Sequence, residues 1–424
     1  VESRKRVVVP LDSTLVARTK TLIQQLRDLG TCGTIPPPLK DSPKCPRCSL
    51  VGICLPDEVN LLSPSDAESP SSNGTGRGLQ NGKPRRLLPA RDDALPLYLQ
   101  SQGTSLGKSG ERLTITERAG KKKVRTVKLK DVSQVCLYGN VQITASAVKE
   151  LSARSVPLCH FSYGGWFHAM TQGLSHKNVE LRIAQFSTAN DATKSLELAQ
   201  RFIVGKIKNC RTMLRRHPSH QEKRDLNQLA ELVQKAESAA SAESLLGIEG
   251  MAAKTYFGGF GRLLKGGKTF DIEGRNRRPP RDPVNALLSF VYALLVKDLT
   301  IVLQAVGFDP MLGFYHRPRY GRPSLALDLA EEFRPLIGDS VVLMLVNNGE
   351  VTESSFLKRA GAIAMTDAGR RSVIAAYERR MDSEVTHPLF GYRVSYRRIL
   401  EVQARLLART LTGELAQYPN FCTR

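Results

Sequence analysis

Three side chains in the second half of the sequence have the types and spacing to hold a divalent metal ion. His316 precedes a predicted helix that carries Asp328 and Glu331. Because the two acids stand three residues apart, a helix places them on one face, and a histidine just before the helix can turn its ring toward them. One imidazole and two carboxylates suit Mg²⁺ or Mn²⁺. The alternative is a histidine in a solvated loop beside an ordinary charged helix face.

The helix after His316 has a clear beginning and a clear buried side. Gly321 and Pro323 end the preceding segment, and Ser324 is the predicted N-cap. The apolar residues opposite the two acids have the spacing of a buried face: Leu325, Leu329 and Phe333.

A third carboxylate, Glu249, lies among small and apolar residues in the segment 245–257. Glutamate in such surroundings is usually exposed or paired. A metal ion is one partner that this carboxylate can have, and a salt bridge or a helix N-cap is the alternative.

The segments around Glu249 and His316, together with the segment 275–290 between them, resemble the CRISPR adaptation integrases, here called the Cas-one family. The family has a Glu-Gly segment ending in Tyr-Phe, then Pro-Pro-x-Asp-Pro-Val-Asn-Ala-Leu-Leu-Ser-Phe, then Gly-Phe-x-His and an acidic helix, and all occur here in order. The resemblance covers residues 94–424. It implies DNA strand transfer, in which the 3′-hydroxyl of a short fragment attacks a phosphodiester of the CRISPR repeat.

The resemblance also implies roles for the candidate residues. Glu249, His316 and Glu331 are the implied catalytic ligands of Mg²⁺ or Mn²⁺, which acts as a Lewis acid on the phosphoryl group. Asp328 is a secondary ligand in this interpretation, bound directly or through water. The family usually has Asp at the position of Glu331, and Glu is one methylene longer.

A second cluster of metal-binding residues lies near the start of the chain. Cys45, Cys48 and Cys54 indicate a site for zinc or an iron–sulfur cluster, with Cys32 as a local candidate for the fourth ligand. The surrounding segment resembles the C-terminal end of CRISPR-associated iron–sulfur exonucleases, the Cas-four family. This implies a [4Fe–4S] cluster whose fourth cysteine is outside this chain, in a fusion whose exonuclease module processes fragment ends and selects the PAM. A zinc knuckle is the alternative.

The charge of the chain favours a polyanionic partner. Lys and Arg number 62 against 40 Asp and Glu, a net charge of +22, which attracts nucleic acid first. Two basic runs, 201–224 and 261–281, flank Glu249 in sequence and fit phosphate contacts that position a duplex. The predicted DNA-binding residues are Lys208, Arg211, Arg215, Arg275, Arg277, Arg278, Arg281 and Arg322.

The sequence predicts no membrane association. The longest apolar run, 286–296, is too short to span a bilayer, and the start of the chain lacks an apolar signal segment. We therefore expect a cytoplasmic protein whose eight cysteines are thiols or metal ligands. The absence of an initiator Met suggests the later part of a longer protein.

The periodicity of the apolar residues predicts an α+β multidomain fold. The predicted parts are a Cys-rich exonuclease remnant (1–56), a flexible linker (57–93), a small β-sandwich-like domain (94–175) and a large all-α catalytic domain (176–424). The linker, rich in Ser, Pro and Gly, is expected to set the reach between the modules. Helices are predicted at 14–29, 145–153, 179–216, 221–247, 283–306, 323–336, 353–361, 368–382 and 391–413.

Three functions remain open at this point. The resemblance implies an integrase that forms a homodimer through its β domain and works with a Cas-two family dimer. A metal-dependent nuclease acting on branched DNA would use the same site with water. A non-catalytic DNA-binding scaffold would use the acids only to balance charge.

Overall fold

A computed structural model describes residues 9–32, 35–63, 84–117, 123–174, 178–216, 222–272, 274–276, 279–359 and 361–423. Arg277 and Arg278, two of the predicted DNA contacts, lie outside these residues. The α-helices are α1 (Ser13–Thr31), α2 (Val51–Cys54), α3 (Pro56–Leu62), α4 (Ala145–Ala153), α5 (Val179–Asn190), α6 (Ala192–Arg215), α7 (Glu222–Glu237), α8 (Ala242–Phe260), α9 (Pro283–Val306), α10 (Ser324–Phe333), α11 (Ser340–Asn347), α12 (Asp367–Asp382) and α13 (Tyr396–Leu411).

Among the described residues, the strands fall into two four-stranded sheets and two small hairpins. They are β1 (Leu95–Leu99), β2 (Ser105–Ser109), β3 (Arg112–Glu117), β4 (Lys123–Lys128), β5 (Val132–Tyr138), β6 (Gln142–Ile143), β7 (Leu158–Phe161), β8 (Phe167–Thr171), β9 (Phe356–Arg359), β10 (Ala362–Met365), β11 (Glu384–Thr386) and β12 (Arg393–Ser395). The sheets have the orders β1-β5-β7-β8 and β4-β3-β2-β6. The α+β class is thereby confirmed.

Strand β5 shows how the β domain joins the rest of the molecule. Its residues alternate between two cores: Val135 and Leu137 pack with β2, β3 and α4, whereas Cys136 and Tyr138 pack with the helices. Because successive side chains of a strand point to opposite faces, one sheet serves both cores. The other sheet covers only the first core. The domain is therefore sandwich-like, as predicted.

Helix α9 lies at the centre of the helical part. Asp282 caps it, and Pro283 occupies its first turn. The helix is long and apolar enough to cross a membrane, but most of that stretch is buried inside the protein, as in the core helix of a globular domain. Its buried Lys297 and Asp298 form an ion pair and contact Gln134 of β5. Paired buried charges of this kind fit a packed interior.

Several predicted helices differ from the observed ones. The prediction for 179–216 missed a break, since Asp191 starts a second helix by capping α6. The prediction of one helix over 221–247 was wrong about its end. Helix α7 ends at Glu237, and Ser241 caps the longer helix α8. Ser324 is not the N-cap of α10 but its first residue, with its hydroxyl bonded to the carbonyl of Arg317. Side-chain caps therefore set the starts of α6 and α8, which apolar spacing did not reveal.

The helical part is not all-α. Residues 353–361 were predicted as a helix, but β9 pairs with β10 across this region. The predicted helix 391–413 begins with β12, which pairs with β11. These are wrong assignments of short apolar segments, whose length and pattern do not distinguish a strand from one helical turn.

The cysteine-containing segment packs against the helical part. Leu55 and Val59 belong to the large core, and the hydroxyl of Tyr392 donates a 2.8 Å hydrogen bond to the buried Glu58. Arg409 of α13 donates to the carbonyl of Cys54 at 2.9 Å. These contacts fix the segment against α13 and the residue that precedes β12.

The predicted linker is wrong where it overlaps this segment. Residues 57–62 are helical, because Pro56 starts α3 and two acids favour its first turn. On the far side, Arg85 forms a bidentate pair with Asp57, with distances of 2.7 and 2.8 Å. The remaining domain boundaries stay a prediction.

Candidate metal site and nucleic-acid interface

The loop before α10 is folded around one buried carboxylate. Asp328 accepts hydrogen bonds from the backbone N–H groups of Phe314, Tyr315 and His316, at 2.6, 3.0 and 2.8 Å. It also bonds Nδ1 of the His316 ring at 2.7 Å. Gly313 permits this geometry, because a Cβ there would lie 2.7 Å from Oδ2 of Asp328. Asp328 therefore positions His316, and the prediction that it is a direct secondary metal ligand does not fit, because both of its oxygens are occupied by the loop.

His316 is thereby aimed at Glu331. With Nδ1 held by Asp328, the other ring nitrogen, Nε2, lies 3.8 Å from Oε1 of Glu331. Glu331 is 2% exposed. The structure thus places His316 beside the carboxylate, as the sequence predicted.

Glu249 reaches the same place from α8. Its carboxylate and that of Glu331 both pair with the ammonium group of Lys206, which hydrogen-bonds Oε1 of Glu249 and lies 2.7 Å from Oε2 of Glu331. The apolar neighbours of Glu249 do not enclose it, since Leu246 and Met251 are more than half exposed. The salt-bridge alternative for Glu249 is therefore what the structure contains.

Lys206 and Arg334 are site residues that the sequence analysis missed. Lys206 was counted only within the basic run 201–224. Its neighbours at helical spacing are Phe202, Ile203 and Cys210, all buried, and this pattern is the signal that separates it from surface lysines. Arg334, three residues after Glu331, pairs with Oε1 of that carboxylate at 2.6 Å.

The cations dominate the electrostatics of this site. Burial alone would raise the pKa of Glu331, but Arg334, Lys206 and His316 outweigh it and lower that pKa to about 2. Burial would lower the pKa of Lys206, but Glu331 and Glu249 raise it above its ordinary value. Glu331 is therefore ionised and Lys206 is charged at neutral pH.

A buried carboxylate lies behind these residues. Asp339 accepts hydrogen bonds from the hydroxyl groups of Tyr256 and Tyr292, at 2.7 and 2.5 Å. Burial raises the pKa of Asp339 to about 6, and the two tyrosines limit the increase. It ends a π-helical turn that follows α10, a type of irregularity frequent at functional sites.

The chemistry of the donors fits a hard divalent cation. Two carboxylates and one imidazole converge, and Oε2 of Glu331 is buried without accepting a hydrogen bond, although Lys206 lies close. Within the part of the chain that the structure describes, no three His, Cys, Asp or Glu side chains are already close enough to hold a metal ion. The ammonium group of Lys206 lies between the carboxylates of Glu249 and Glu331, where a metal ion would otherwise bind.

An open cavity of about 500 Å³ leads to this site. Glu249, His316 and Glu331 line its inner part, together with Arg334. Arg317, Arg319 and Arg322 line it on the side of the His316 loop. An acidic centre with a rim of arginines suits a substrate that carries phosphates.

The predicted DNA-binding residues have mixed surroundings, and their contact with DNA stays a prediction. Lys208 pairs with Glu237 at 3.1 Å, and Arg211 bonds the carbonyl of Leu226. Arg275 is engaged inside the protein by Asn285 and Ser289 and stacks on a tyrosine ring. Exposed positions are occupied by Arg215 and Arg281, and Arg322 is half-buried at the cavity.

The cysteine cluster stays a prediction as well. Cys45 is buried, Cys54 is half-buried and Cys48 is exposed, and all three are thiols. Burial raises the pKa of Cys54, Arg409 opposes this, and the nearby Cys45 and Cys48 add to the increase. Cys32, the local alternative for a fourth ligand, is exposed at the end of α1.

Comparison with known proteins identifies the family. Residues 97–379, more than half of the chain, match the family described as CRISPR associated protein Cas1. The chain belongs to the Cas1 family. The resemblance to the Cas-one family in the sequence is thereby confirmed, and the matched residues include most of the β domain and all residues of the candidate metal site.

Relatives of this Cas1 chain extend the comparison. A protein of Geobacter sulfurreducens, named CRISPR-associated exonuclease Cas4/endonuclease Cas1 fusion, is 49% identical over 434 residues, covering all of this chain and 75% of the relative. A structure of a casposase bound to integration product has a TM-score of 0.69 at 22% identity, covering 77% of this chain and 94% of the other. A Cas6-RT-Cas1–Cas2 complex has a TM-score of 0.68 at 22% identity, covering 82% and 38%. The two structures establish the likeness of fold.

Proposed function

We propose that this protein is the integrase of CRISPR spacer acquisition, which joins the 3′-hydroxyl of a short DNA fragment to a phosphodiester of the CRISPR repeat. The observation that carries the proposal is the convergence of Glu249, His316 and Glu331 at an arginine-lined cavity in a Cas1 chain. The reaction needs no protein nucleophile, because the attacking oxygen belongs to DNA. The protein has to align the 3′-hydroxyl of the fragment with the phosphodiester of the repeat and to neutralise the charge on the phosphoryl group.

Each residue has a defined task in this proposal. Glu249, Glu331 and Nε2 of His316 would hold Mg²⁺ or Mn²⁺, and the bound ion supplies Lewis-acid stabilisation of the phosphoryl oxygens. Asp328 accepts a hydrogen bond from the Nδ1–H group of His316. The proton is thereby held on Nδ1, and the lone pair of Nε2 faces Glu331. Arg319 and Arg322, on the rim of the cavity, would bind backbone phosphates.

A joining assay with blocked ends tests the proposal. A labelled fragment is incubated with a repeat-bearing plasmid in Mn²⁺, once with 3′-hydroxyl ends and once with 3′-dideoxy ends. We expect joined product only with the hydroxyl, because it is the nucleophile. Equal plasmid cutting with both fragments, without joining, would instead support the nuclease, a candidate that the name endonuclease of the Geobacter sulfurreducens relative favours. Binding of DNA without joining or cutting would support the third function, a non-catalytic DNA-binding scaffold.

The cysteine segment is proposed to carry a [4Fe–4S] cluster as part of an exonuclease module that processes fragment ends and selects the PAM. The proximity of Cys45, Cys48 and Cys54 supports this, as does the end-to-end match with a Cas4/Cas1 fusion. We expect the full-length protein, purified without oxygen, to be brown and to contain four irons per chain. Replacing Cys48 by Ser should bleach it. A colourless protein with one zinc per chain would contradict the cluster.

The proposed assembly is a homodimer that works with a Cas2 dimer on DNA in the cytoplasm. The family resemblance supports it, and one structure of the same fold is titled a complex containing Cas2. Light scattering should give twice the mass of one chain for the protein alone and a heavier species after Cas2 and DNA are added. A monomer that stays a monomer under both conditions would contradict the assembly.

A further inference from the structure

The position of Lys206 conflicts with a metal ion at the same site. Its Nζ hydrogen-bonds Glu249 and lies 2.7 Å from Glu331. An ion such as Mg²⁺ lies about 2 Å from each oxygen ligand, so an ion held by both carboxylates would occupy nearly the same point as the ammonium. The two positive charges would also repel each other at such a distance. Lys206 and the ion therefore exclude one another.

We propose that Lys206 is an exchangeable cation of this site, which holds Glu249 and Glu331 together in the metal-free protein and moves to Asp339 when the divalent ion binds. This inference rests on the metal site of the proposed function. In this inference Lys206 competes with the divalent ion for the two carboxylates and so determines the affinity of the site for that ion.

One cavity connects Lys206 with its proposed destination, Asp339, and the guanidinium-bearing Arg275 and Arg334 also line it. Lys206, Glu249 and Asp339 line one small cavity of about 30 Å³, which is room for a group the size of a water molecule. Each oxygen of Asp339 accepts one tyrosine hydroxyl and keeps a further lone pair for an ammonium donor. After the move, the lysine would again face a carboxylate, so that no buried charge is left unpaired.

The backbone of Lys206 is fixed, so only the end of the side chain can move. Gly205 lies so close to α10 that a Cβ there would be 2.9 Å from Cγ of Glu332. Asn209, one turn further along α6, bonds the carbonyl of Glu332 at 2.8 Å. The flexible four-carbon stem of lysine allows the ammonium to change partners while the helix stays in place.

The exchange predicts how Mn²⁺ affinity depends on Lys206. The assay titrates metal-stripped protein with Mn²⁺ and follows the free-ion signal by electron paramagnetic resonance, which does not depend on activity. Lys206→Met keeps the stem but removes the competing charge, and we expect it to bind Mn²⁺ about tenfold more tightly or better. Lys194→Met is the matched control on the same helix, because Lys194 is exposed and pairs with Asp191 rather than with Glu249 or Glu331. Its Mn²⁺ affinity should equal that of the unmodified protein.

A second variant tests the destination. Asp339→Asn retains the shape of the side chain but offers the ammonium no charge, so we expect Mn²⁺ binding to weaken several-fold. In the Lys206→Met protein the same substitution should have little effect, because no ammonium has to move. Asp339→Asn keeps Lys206 with its carboxylate partners, so this test stands even if Lys206→Met does not fold.

The outcomes separate this inference from the proposed function. Unchanged or weaker Mn²⁺ binding by folded Lys206→Met would overturn the exchange while leaving the metal site intact. Normal Mn²⁺ affinity of Asp339→Asn would overturn Asp339 as the destination. Failure of the unmodified protein and of Lys206→Met to bind Mn²⁺ would overturn the metal site, and the exchange with it.

Discussion

His316→Ala and Glu331→Ala are each expected to reduce strand transfer by roughly a thousandfold or more while leaving most DNA affinity intact. The reason is that, in the proposed mechanism, catalysis depends on one ion placed accurately against the reacting phosphate. DNA affinity depends instead on many Lys and Arg contacts with phosphates. Removal of one metal ligand therefore affects the two properties very differently. Glu249→Ala should behave in the same way.

The measurement joins a labelled fragment to a repeat-bearing plasmid in Mn²⁺, beside a binding isotherm for each variant. His168→Ala, an exposed histidine of β8, is the matched control and should join normally. Glu331→Ala leaves Lys206 and Arg334 without their shared carboxylate, so its folding has to be checked by circular dichroism. Near-normal joining by His316→Ala would mean that the metal site is elsewhere.

Asp328→Ala is expected to be the most destabilising substitution in the site. The carboxylate is fully buried and accepts three backbone N–H groups as well as the ring of His316. Its loss leaves these donors without a partner, at a cost of about 3 kcal/mol or more in the free energy of unfolding. The joining rate should also fall, about ten- to a hundredfold, because His316 loses its orientation.

Chemical denaturation measures the first effect, and the joining rate at saturating DNA measures the second. Asp131→Ala provides the control, since Asp131 is exposed in the β domain. Asp328→Asn separates the two roles: it keeps the volume and one acceptor oxygen, so it should recover much of the stability but less of the rate. Full activity in a folded Asp328→Ala protein would show that the loop holds His316 without this carboxylate.

The metal site could be predicted as far as local patterns reach. The spacing of Asp328 and Glu331, together with the position of His316 before the helix, was sufficient to predict that these residues lie close together. The division of labour between the two acids was not predictable, because it depends on which carboxylate the loop backbone bonds. Lys206 was not predicted because its partners are 43 and 125 residues away in the sequence. Pairs of this kind depend on the packing of α6 against α8 and α10.

Prediction of the fold was limited in the same way, because local patterns identify long elements but not short ones or long-range contacts. Long periodic segments such as α9 were predicted well, because their apolar spacing persists over many turns. The hairpin of β9 and β10 was assigned to a helix, since four-residue strands carry too little pattern to identify them. Helix α3 was missed because its first residues, Pro56 and Asp57, suggest a loop as readily as a helix start. Its contact with Tyr392 is long-range.

The bidentate pair of Asp57 and Arg85 determines whether the segment between these residues can control the distance between the cysteines and the candidate metal site. Ser63, which follows α3, and Pro84, which precedes Arg85, are both held close to anchored residues of one body, and the segment 64–83 connects them. Its length therefore does not set the separation of the cysteines from Glu331. That separation is set by the bond of Glu58 in α3 to Tyr392 and by the bonds of Arg409 in α13 to the carbonyls of α2.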